Sequence, residues 1–518
     1  VSGSKLAGIG AESILVGSTH EGDLELHTDV VIIGSGSGGA VVAAELAEAG
    51  QEVLVLEEGP YIPAEEHAAM RPSQSIRHAW REGAMSAAIG VGDSPMVNVT
   101  MGRLVGGSSA LTGGVCFRIP ERVLHSWVHE HGLSELSSEA LDPFHRAVEE
   151  HLGVTEVPAS LHSRSLQLFA EGARRRGYEV KPTRRNIQDC AGISQCNFGC
   201  PRGAKRSVDR SYLPRAAAHG ARVLSDCLAE RILVRNGRAV GVRARLLRGV
   251  SARPHARVTI HARRVVVAAG AWHSPQLLAA SGIGRRSRQL GRNLTLHPAC
   301  RMMARFREPV YGWRGALQAA FVDAFESEQL TMVSMFVPPG ILAGTLPGFG
   351  PEHTRRAEQS AHLAMMGGLI HDEGGGVIRR GLGREPLVTY RMSPRDRAAL
   401  PRLMEIMADT FAAAGAEEIF LPILGHAPVK PEQLRHLDLA AIPARRYECA
   451  SQHPLGSCRM GTSPERSVVD PDGRTWDVEE LYIADGSILP TSLGVNPQVG
   501  VMTMATRIAT KLRDRPLA

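Results

Sequence analysis

A segment running from Asp29 to Gly59, DVVIIGSGSGGAVVAAELAEAGQEVLVLEEG, restricts what this chain can fold into more than any other. Val30 to Ile33 is an unbroken apolar run, the pattern of a strand buried on both faces of a parallel sheet. Gly34, Gly36 and Gly39 follow in GxGxxG spacing, with Ser37 and Gly38 between them. The first glycine permits a sharp turn, the second lets backbone approach a pyrophosphate, and the third lets a helix pack on the strand. That helix is expected from about Ala40 to Ala49, its N-terminal amides and dipole favouring a phosphate. Gly50 stops it, Val53 to Leu56 form a second strand, and Glu57 ends the unit. Its carboxylate lies 18 residues beyond Gly39, close to the roughly 20 expected for an acid bonding both ribose hydroxyls. Strand, turn, helix, strand and acid in this order predict dinucleotide binding. An acid at this point suits an unphosphorylated ribose and argues against NADP, leaving FAD and NAD open.

The chain has 518 residues, enough for two to four domains or one large core with a second lobe. A net charge of +6 is modest for that length, and the RRSR run at Arg285 to Arg288 reads as solvated surface. Aromatics are 4% of the residues, so base-stacking platforms are not indicated, and no nucleic-acid partner is expected. No apolar run approaches the roughly 18–20 residues of a transmembrane helix. The first 28 residues lack a basic-then-apolar signal pattern, and cytoplasmic residence is the expectation. Eight cysteines are too few for a disulfide scaffold.

Farther along, GRLVGGSSALTGGVCFR (Gly102 to Arg118) is dense in Gly and Ser. Its Gly106-Gly107-Ser108-Ser109 core offers open backbone amides and two hydroxyls, suited to a pyrophosphate or a flavin edge. Residues 121 to 180 read as helical, and Ala221 to Leu246 as strands or a hairpin. RVVVAAG (Arg264 to Gly270) is another buried strand, and Ser274 and Pro275 then suit N-cap and N1 of a short helix. From Arg301 to about Tyr447 the chain shows strand-like alternation, two Pro/Gly-rich loops (Pro338 to Gly350, His371 to Gly383) and a helix around Arg395 to Gly415. Glycine-rich, ligand-facing sequence returns from Cys449 onward. Near the end, Asn496 and Pro497 read as N-cap and N1 of a last helix with Val501, Met502, Ala505, Ile508 and Leu512 on one face.

Four segments together resemble the glucose–methanol–choline (GMC) oxidoreductases: the opening unit through Glu57, GRLVGGSSALTGG, VVVAAGAWHSPQLLAASGIG, and QHPLGSCRMG…VVDPDGRTWDVEELYIADGSILPTSLGVNPQ. The resemblance implies an α/β fold with a Rossmann-like FAD-binding domain and a discontinuous substrate domain on a six-stranded antiparallel sheet. FAD segments would be 26–120, 186–300 and 449–518, a helical cap 121–185, and the substrate segment 301–448. The implied reaction is oxidation of a CH–OH group to aldehyde or ketone, with hydride passing to flavin N5. Gly34, Gly36, Gly39 and Glu57 match the family's ADP-binding positions, and Gly102, Gly107, Ser108, Thr112 and Gly113 its second FAD contact. Ala229 falls where adenine meets backbone, and Asp485, Gly486, Asn496 and Pro497 match the contacts facing the flavin. Ser37, Gly38, Glu58, Arg103, Gly106, Gly270, Ser274 and Gln498 flank these positions and are counted with the FAD site. Some members bind FAD covalently through a histidine that is Ala110 here, so FAD is expected to be non-covalent. A usual asparagine is Thr112, shorter and without an amide.

His453, in HPLG, matches the family's base; from the residues alone it is as well a turn histidine before proline. Histidine suits proton removal from a carbinol because its unperturbed pKa is about 6.5. Asn496 matches the second catalytic position, where its amide would orient the substrate oxygen. His297 reads as structural, while His371 and Glu373 are candidates for lining the substrate pocket. Cys190, Cys196 and Cys200 form C-x5-C-x3-C-P. The spacing resembles that of cluster-bearing sugar dehydrogenases, and also that of relatives without a cluster; loop packing is the favoured reading and no metal is assigned. HPLG with VNPQ is most similar to the sterol- and long-chain-alcohol-oxidase branch, implying a hydrophobic or bulky alcohol as substrate. Oxygen or another electron acceptor, such as a quinone or partner protein, completes the reaction. The rival readings are a lyase, a light-driven decarboxylase or a flavin-binding electron-transfer module.

Overall fold

The computed structural model describes residues 8–381 and 383–517. Its first sheet is built on the segment that carries the GxGxxG turn. Leu24–Ile33 lies between Val53–Leu56 and Arg253–Val267, all parallel, with Val30 through Ile33 in register with both neighbours. These residues are buried on both faces. Arg222–Ser225 and Ile14–Val16 continue the parallel order on one side. On the other side the long strand Arg253–Val267 forks. Its last residues pair in parallel with Leu481–Ile483, and its first half pairs with Arg238–Arg248 in an antiparallel meander that ends with Cys227–Arg235. The two strands at the middle, Leu24–Ile33 and Arg253–Val267, feed helices Ser37–Glu48 and Gly270–Ser281. Such a switch in connection direction opens a crevice at the C-terminal strand ends, where open α/β sheets bind ligands.

Close backbone approach at this edge explains two glycines. Gly34 turns with φ +105°, and a Cβ there would stand 2.3 Å from the Ala268 carbonyl oxygen. At Gly38 a Cβ would come within 1.7 Å of the Ala484 oxygen, so only glycine lets the helix start this near the third strand. The helix begins at Ser37, three residues earlier than the sequence suggests, because Gly36 takes the N-cap.

The second sheet has eleven strands among the described residues, more than the six expected, because short edge ladders extend it. At its centre lie Cys449–Ser451, Ala299–Arg305, Leu363–Ile370 and Leu330–Ser334, paired antiparallel. Residues from outside 301–448 join it: Ala87–Gly90, Val97–Val99, Lys181–Pro182 and Cys449–Ser451. Strand alternation gives its two faces different roles. Met302, Ala304, Ala364 and Met366 pack with Leu403 and Met407 of helix Pro394–Ala413, while Ala299, Arg301, Gly367 and Leu369 face a cavity. The helices expected between 121 and 180 are Glu121–His129, Ser138–Leu152 and Arg164–Arg175. Of the two expected loops, one holds a short helix, Pro339–Thr345, and the other a strand, Gly376–Arg379. Glycines in both segments, with prolines in the first, obscured the short element within. All eight cysteines are free thiols.

Two more helix starts differ from the sequence reading. Gln498–Arg513 is capped by Pro497, so the Asn496 side chain does not serve as its cap. This helix is buried nearly all round rather than on one face, since it threads between Ser37–Glu48 and Ser138–Leu152. The helix around Ser274 begins already at Gly270, so Pro275 sits inside it. Proline has no N–H to give the Ala271 carbonyl, and the Ser457 hydroxyl donates to that oxygen instead at 2.6 Å. Ser457→Ala leaves a buried carbonyl unpaired and is expected to cost about 1–3 kcal/mol in urea unfolding. Adding Pro275→Ala restores a backbone donor, and the double variant should recover most of that loss.

Candidate active site

One continuous cavity of about 1100 Å³ runs from the glycine turn to the second sheet. Pockets for drug-sized ligands span about 300–1,000 Å³, so this one has room for a dinucleotide and a further small molecule. Most of the residues singled out above for the FAD site line it. Gly39, Arg103, Gly106 and Ser274 stand behind the wall, a correction with separate causes. Gly39 packs against the Gly34 carbonyl. The Arg103 guanidinium donates to the Val250 carbonyl, the Gly106 amide donates to Ser35 Oγ, and the Ser274 hydroxyl donates to Asp485 Oδ2. Gly39 and Ser274 thereby support Gly34 and Asp485, which do reach the cavity.

The two glycine motifs meet directly, since a Cβ on Gly107 would lie 2.9 Å from Gly36 Cα. Ser35 bridges them: its hydroxyl donates to Glu57 Oε2 at 2.6 Å and accepts from Gly106 N–H. The Gly59 amide holds the other Glu57 oxygen at 2.9 Å. Burial pushes this carboxyl's pKa up, opposed by those donors. The Ser35 amide also donates to Oε2 at 3.1 Å, so Oε1 is the oxygen that keeps a lone pair for another donor. Glu58 is bound differently, by Arg81, which also pairs with Glu385 at 2.7 Å. His273 faces Glu385 as well, and Arg384 faces Glu58. Sequence reading missed this ion-pair group, whose members lie hundreds of positions apart and carry no local signal. Asp485 ties the third strand end to the second: Gly270 N–H and Ser274 donate to Oδ2, and Ser487 N–H to Oδ1. Thr112, expected to have a changed contact, donates to Gln498 Oε1 at 3.1 Å at the start of the last helix.

His453 and Asn496, 43 positions apart, converge in the cavity wall, with Asn496 Nδ2 3.3 Å from His453 Nε2. The amide donates there, which leaves the Nε2 lone pair as acceptor and the proton on Nδ1. Strand Cys449–Ser451 delivers His453, whose backbone N–H donates to Ser451 Oγ at 3.0 Å. His297 stands beside it, ring centroids 5.3 Å apart. Its Nε2 accepts the Leu493 and Gly494 amides at 3.1 and 3.0 Å, so it is fixed as a neutral acceptor that shapes the loop before Asn496. His371 and Glu373 do not line the cavity. His371 is buried between Arg122 and Thr331, and Glu373 pairs with Arg395 at the surface, because the turn after Ile370 carries both past the sheet edge.

The cysteine loop is fastened to the second glycine motif by Lys205. This buried ammonium donates to the carbonyls of Ala110, Thr112 and Cys196. Arg185 donates to Cys196 Sγ at 3.1 Å, and Cys190 Sγ accepts the Gly192 amide at 3.4 Å.

Family models described as GMC oxidoreductase match residues 28–299 and 384–505. An uncharacterized GMC-type oxidoreductase of Mycobacterium tuberculosis is 38% identical over 93% of this chain and 75% of its own length. A long-chain-alcohol oxidase of Arabidopsis thaliana is 28% identical, covering 98% of this chain and 70% of the relative. Among solved structures, pyridoxine 4-oxidase from Mesorbium loti superposes with a TM-score of 0.72 at 20% identity, over 94% of this chain and all of that one. That likeness establishes the fold.

Burial lowers the His453 pKa to about 4, so the imidazole is neutral at neutral pH and free to take a proton. Burial likewise lowers His67 and His145 to about 4 and His371 to about 3. In the unfolded chain these groups titrate near 6.5. Between the two values the unfolded state binds more protons, so stability falls as pH falls. Urea midpoints should decline steadily from about pH 6.5 toward about 4. A flat profile across that window would contradict four buried neutral imidazoles.

Proposed function

This chain belongs to the GMC oxidoreductase family, FAD-dependent enzymes acting on CH–OH donors, and we propose that it oxidises a hydrophobic or bulky alcohol, with His453 as base and Asn496 orienting the oxygen. The observation that carries this reading is the 3.3 Å contact between Asn496 Nδ2 and His453 Nε2 inside the cavity. A hydroxyl that replaces this contact, taking the amide's hydrogen bond onto its own oxygen, gives its proton to Nε2. Charge growing on the oxygen is then met by a fixed donor, the arrangement that favours loss of hydride from carbon.

The residues present suit the cofactor. Facing glycine motifs leave backbone amides bare, Glu57 awaits a ribose, and the cavity exceeds the needs of an alcohol alone. Gly34 to Gly38, Glu57, Gly107, Ser108, Ala229 and Asp485 would hold FAD, non-covalently since Ala110 offers no nucleophile. Bound FAD supplies the hydride acceptor. Gln498, at the start of helix Gln498–Arg513, brings that helix's positive end to the cavity, where it favours negative charge. Apolar side chains of the second sheet and its neighbours, among them Leu317, Val333, Met335 and Leu369, support a hydrophobic substrate. Relatives that oxidise long-chain alcohols support the same class. The cysteine loop serves as packing, held by Lys205 and Arg185.

Anaerobic mixing with alcohols from short sugars to sterols tests the proposal. Bleaching of the visible flavin band identifies a substrate, and its return in air assigns oxygen as acceptor. His453→Ala should fold and keep FAD while slowing flavin reduction by roughly 10²–10⁴-fold. Reduction at near-normal rate in that variant removes His453 from the mechanism.

A further inference from the structure

Arg301 is the charged residue on the sheet wall of the cavity for which neither the fold nor the proposed chemistry gives a role. It lies on strand Ala299–Arg305 opposite Gly367. Alternation along the strand turns Cys300 and Met302 into the core and leaves Arg301 open to the cavity, beside Gly367, Val333 and Met335. Among the described residues no hydrogen bond or ion pair reaches its guanidinium. Burial lowers its pKa, and Glu448 offsets this from beyond ion-pair distance. By contrast, Arg81 and Arg384 in the same cavity are paired with carboxylates.

A guanidinium in a concave, largely apolar wall attracts an anion with two coplanar oxygens, because its fork makes two parallel charge-assisted bonds. One positive charge balances one negative charge, which fits a carboxylate. The wall also fixes direction. Ala299 pairs with Ala450 on the strand that delivers His453, and Arg301 lies two residues, about 6.6 Å, farther along. We propose that Arg301 determines specificity by binding a carboxylate at the far end of the substrate, an acid whose hydroxyl is joined to it by an apolar chain. This rests on the alcohol-oxidation reading above for its second half, the position of the hydroxyl at His453 and Asn496.

Two measurements on the FAD-loaded enzyme separate the halves. In calorimetry, decanoate should bind the wild type and lose about tenfold or more in affinity in Arg301→Gln, with Arg301→Lys between them, while neutral decanamide binds all three alike. Since no hydrogen bond or ion pair among the described residues holds Arg301, the Gln variant should unfold close to the wild-type midpoint; should it misfold, Arg301→Lys against wild type decides alone, through its loss of the fork. Equal decanoate binding in wild type and variants overturns the proposal whether or not any alcohol is oxidised. In anaerobic flavin reduction, a terminally hydroxylated decanoic acid should half-saturate at about tenfold lower concentration than decanol in the wild type. Arg301→Gln should abolish that preference without changing the limiting rate. Loss of decanoate affinity in the variant with no reduction by any alcohol keeps Arg301 as the carboxylate site and removes the alcohol reading.

Discussion

Parallel pairing of three strands from distant parts of the chain is the constraint on which the rest of the molecule depends. Leu24–Ile33, Arg253–Val267 and Leu481–Ile483 lie side by side, so Gly34, Gly270 and Asp485 emerge at one edge. Parallel neighbours need long crossovers, and here the crossovers contain most of the protein. The edge itself is tight, with Gly38 against the Ala484 carbonyl and Asp485 accepting the Gly270 amide. A side chain at Gly38, or loss of the Asp485 bonds, separates the strand ends that frame the cavity.

The polar groups at that edge are held mostly by dipoles rather than by countercharges. Glu57 is bonded by Ser35 and the Gly59 amide, and Asp485 by Ser274 and two amides. Burial raises the pKa of both carboxyls, and those donors oppose it. The same burial acts in the reverse sense on His453, keeping its imidazole neutral. Its neighbour His297 is neutral too, fixed by two amides as an acceptor. His453 Nε2 and the Asn496 amide thus meet at the cavity wall 3.3 Å apart, an acceptor facing a donor.

The second sheet contributes through the period of two along each strand. In Leu363–Ile370 every residue is buried, yet Ala364 and Met366 pack on helices while Gly367 and Leu369 border the cavity. An apolar run of this kind has no visible alternation, so the cavity face was illegible until the strand was placed. Arg301 shows the converse. It is one of two arginines in an otherwise apolar strand, and only the orientation of the sheet gives it meaning.

By itself the sequence determined the dinucleotide unit, because every part of it is local: turn, helix, strand and acid are fixed by spacing within 31 residues from Asp29 to Gly59. The resemblance carried His453 and Asn496 the same way, through short motifs. What only the tertiary structure decided was which atoms face which. Pro275 lies inside a helix because Ser457, 182 positions away, supplies a bond to the carbonyl it orphans. Glu58 is paired while Arg301, among the described residues, is not, although both line one cavity. Hydrogen bonds and ion pairs depend on distance in space, and a chain that returns three times to one sheet sets those distances only when it folds.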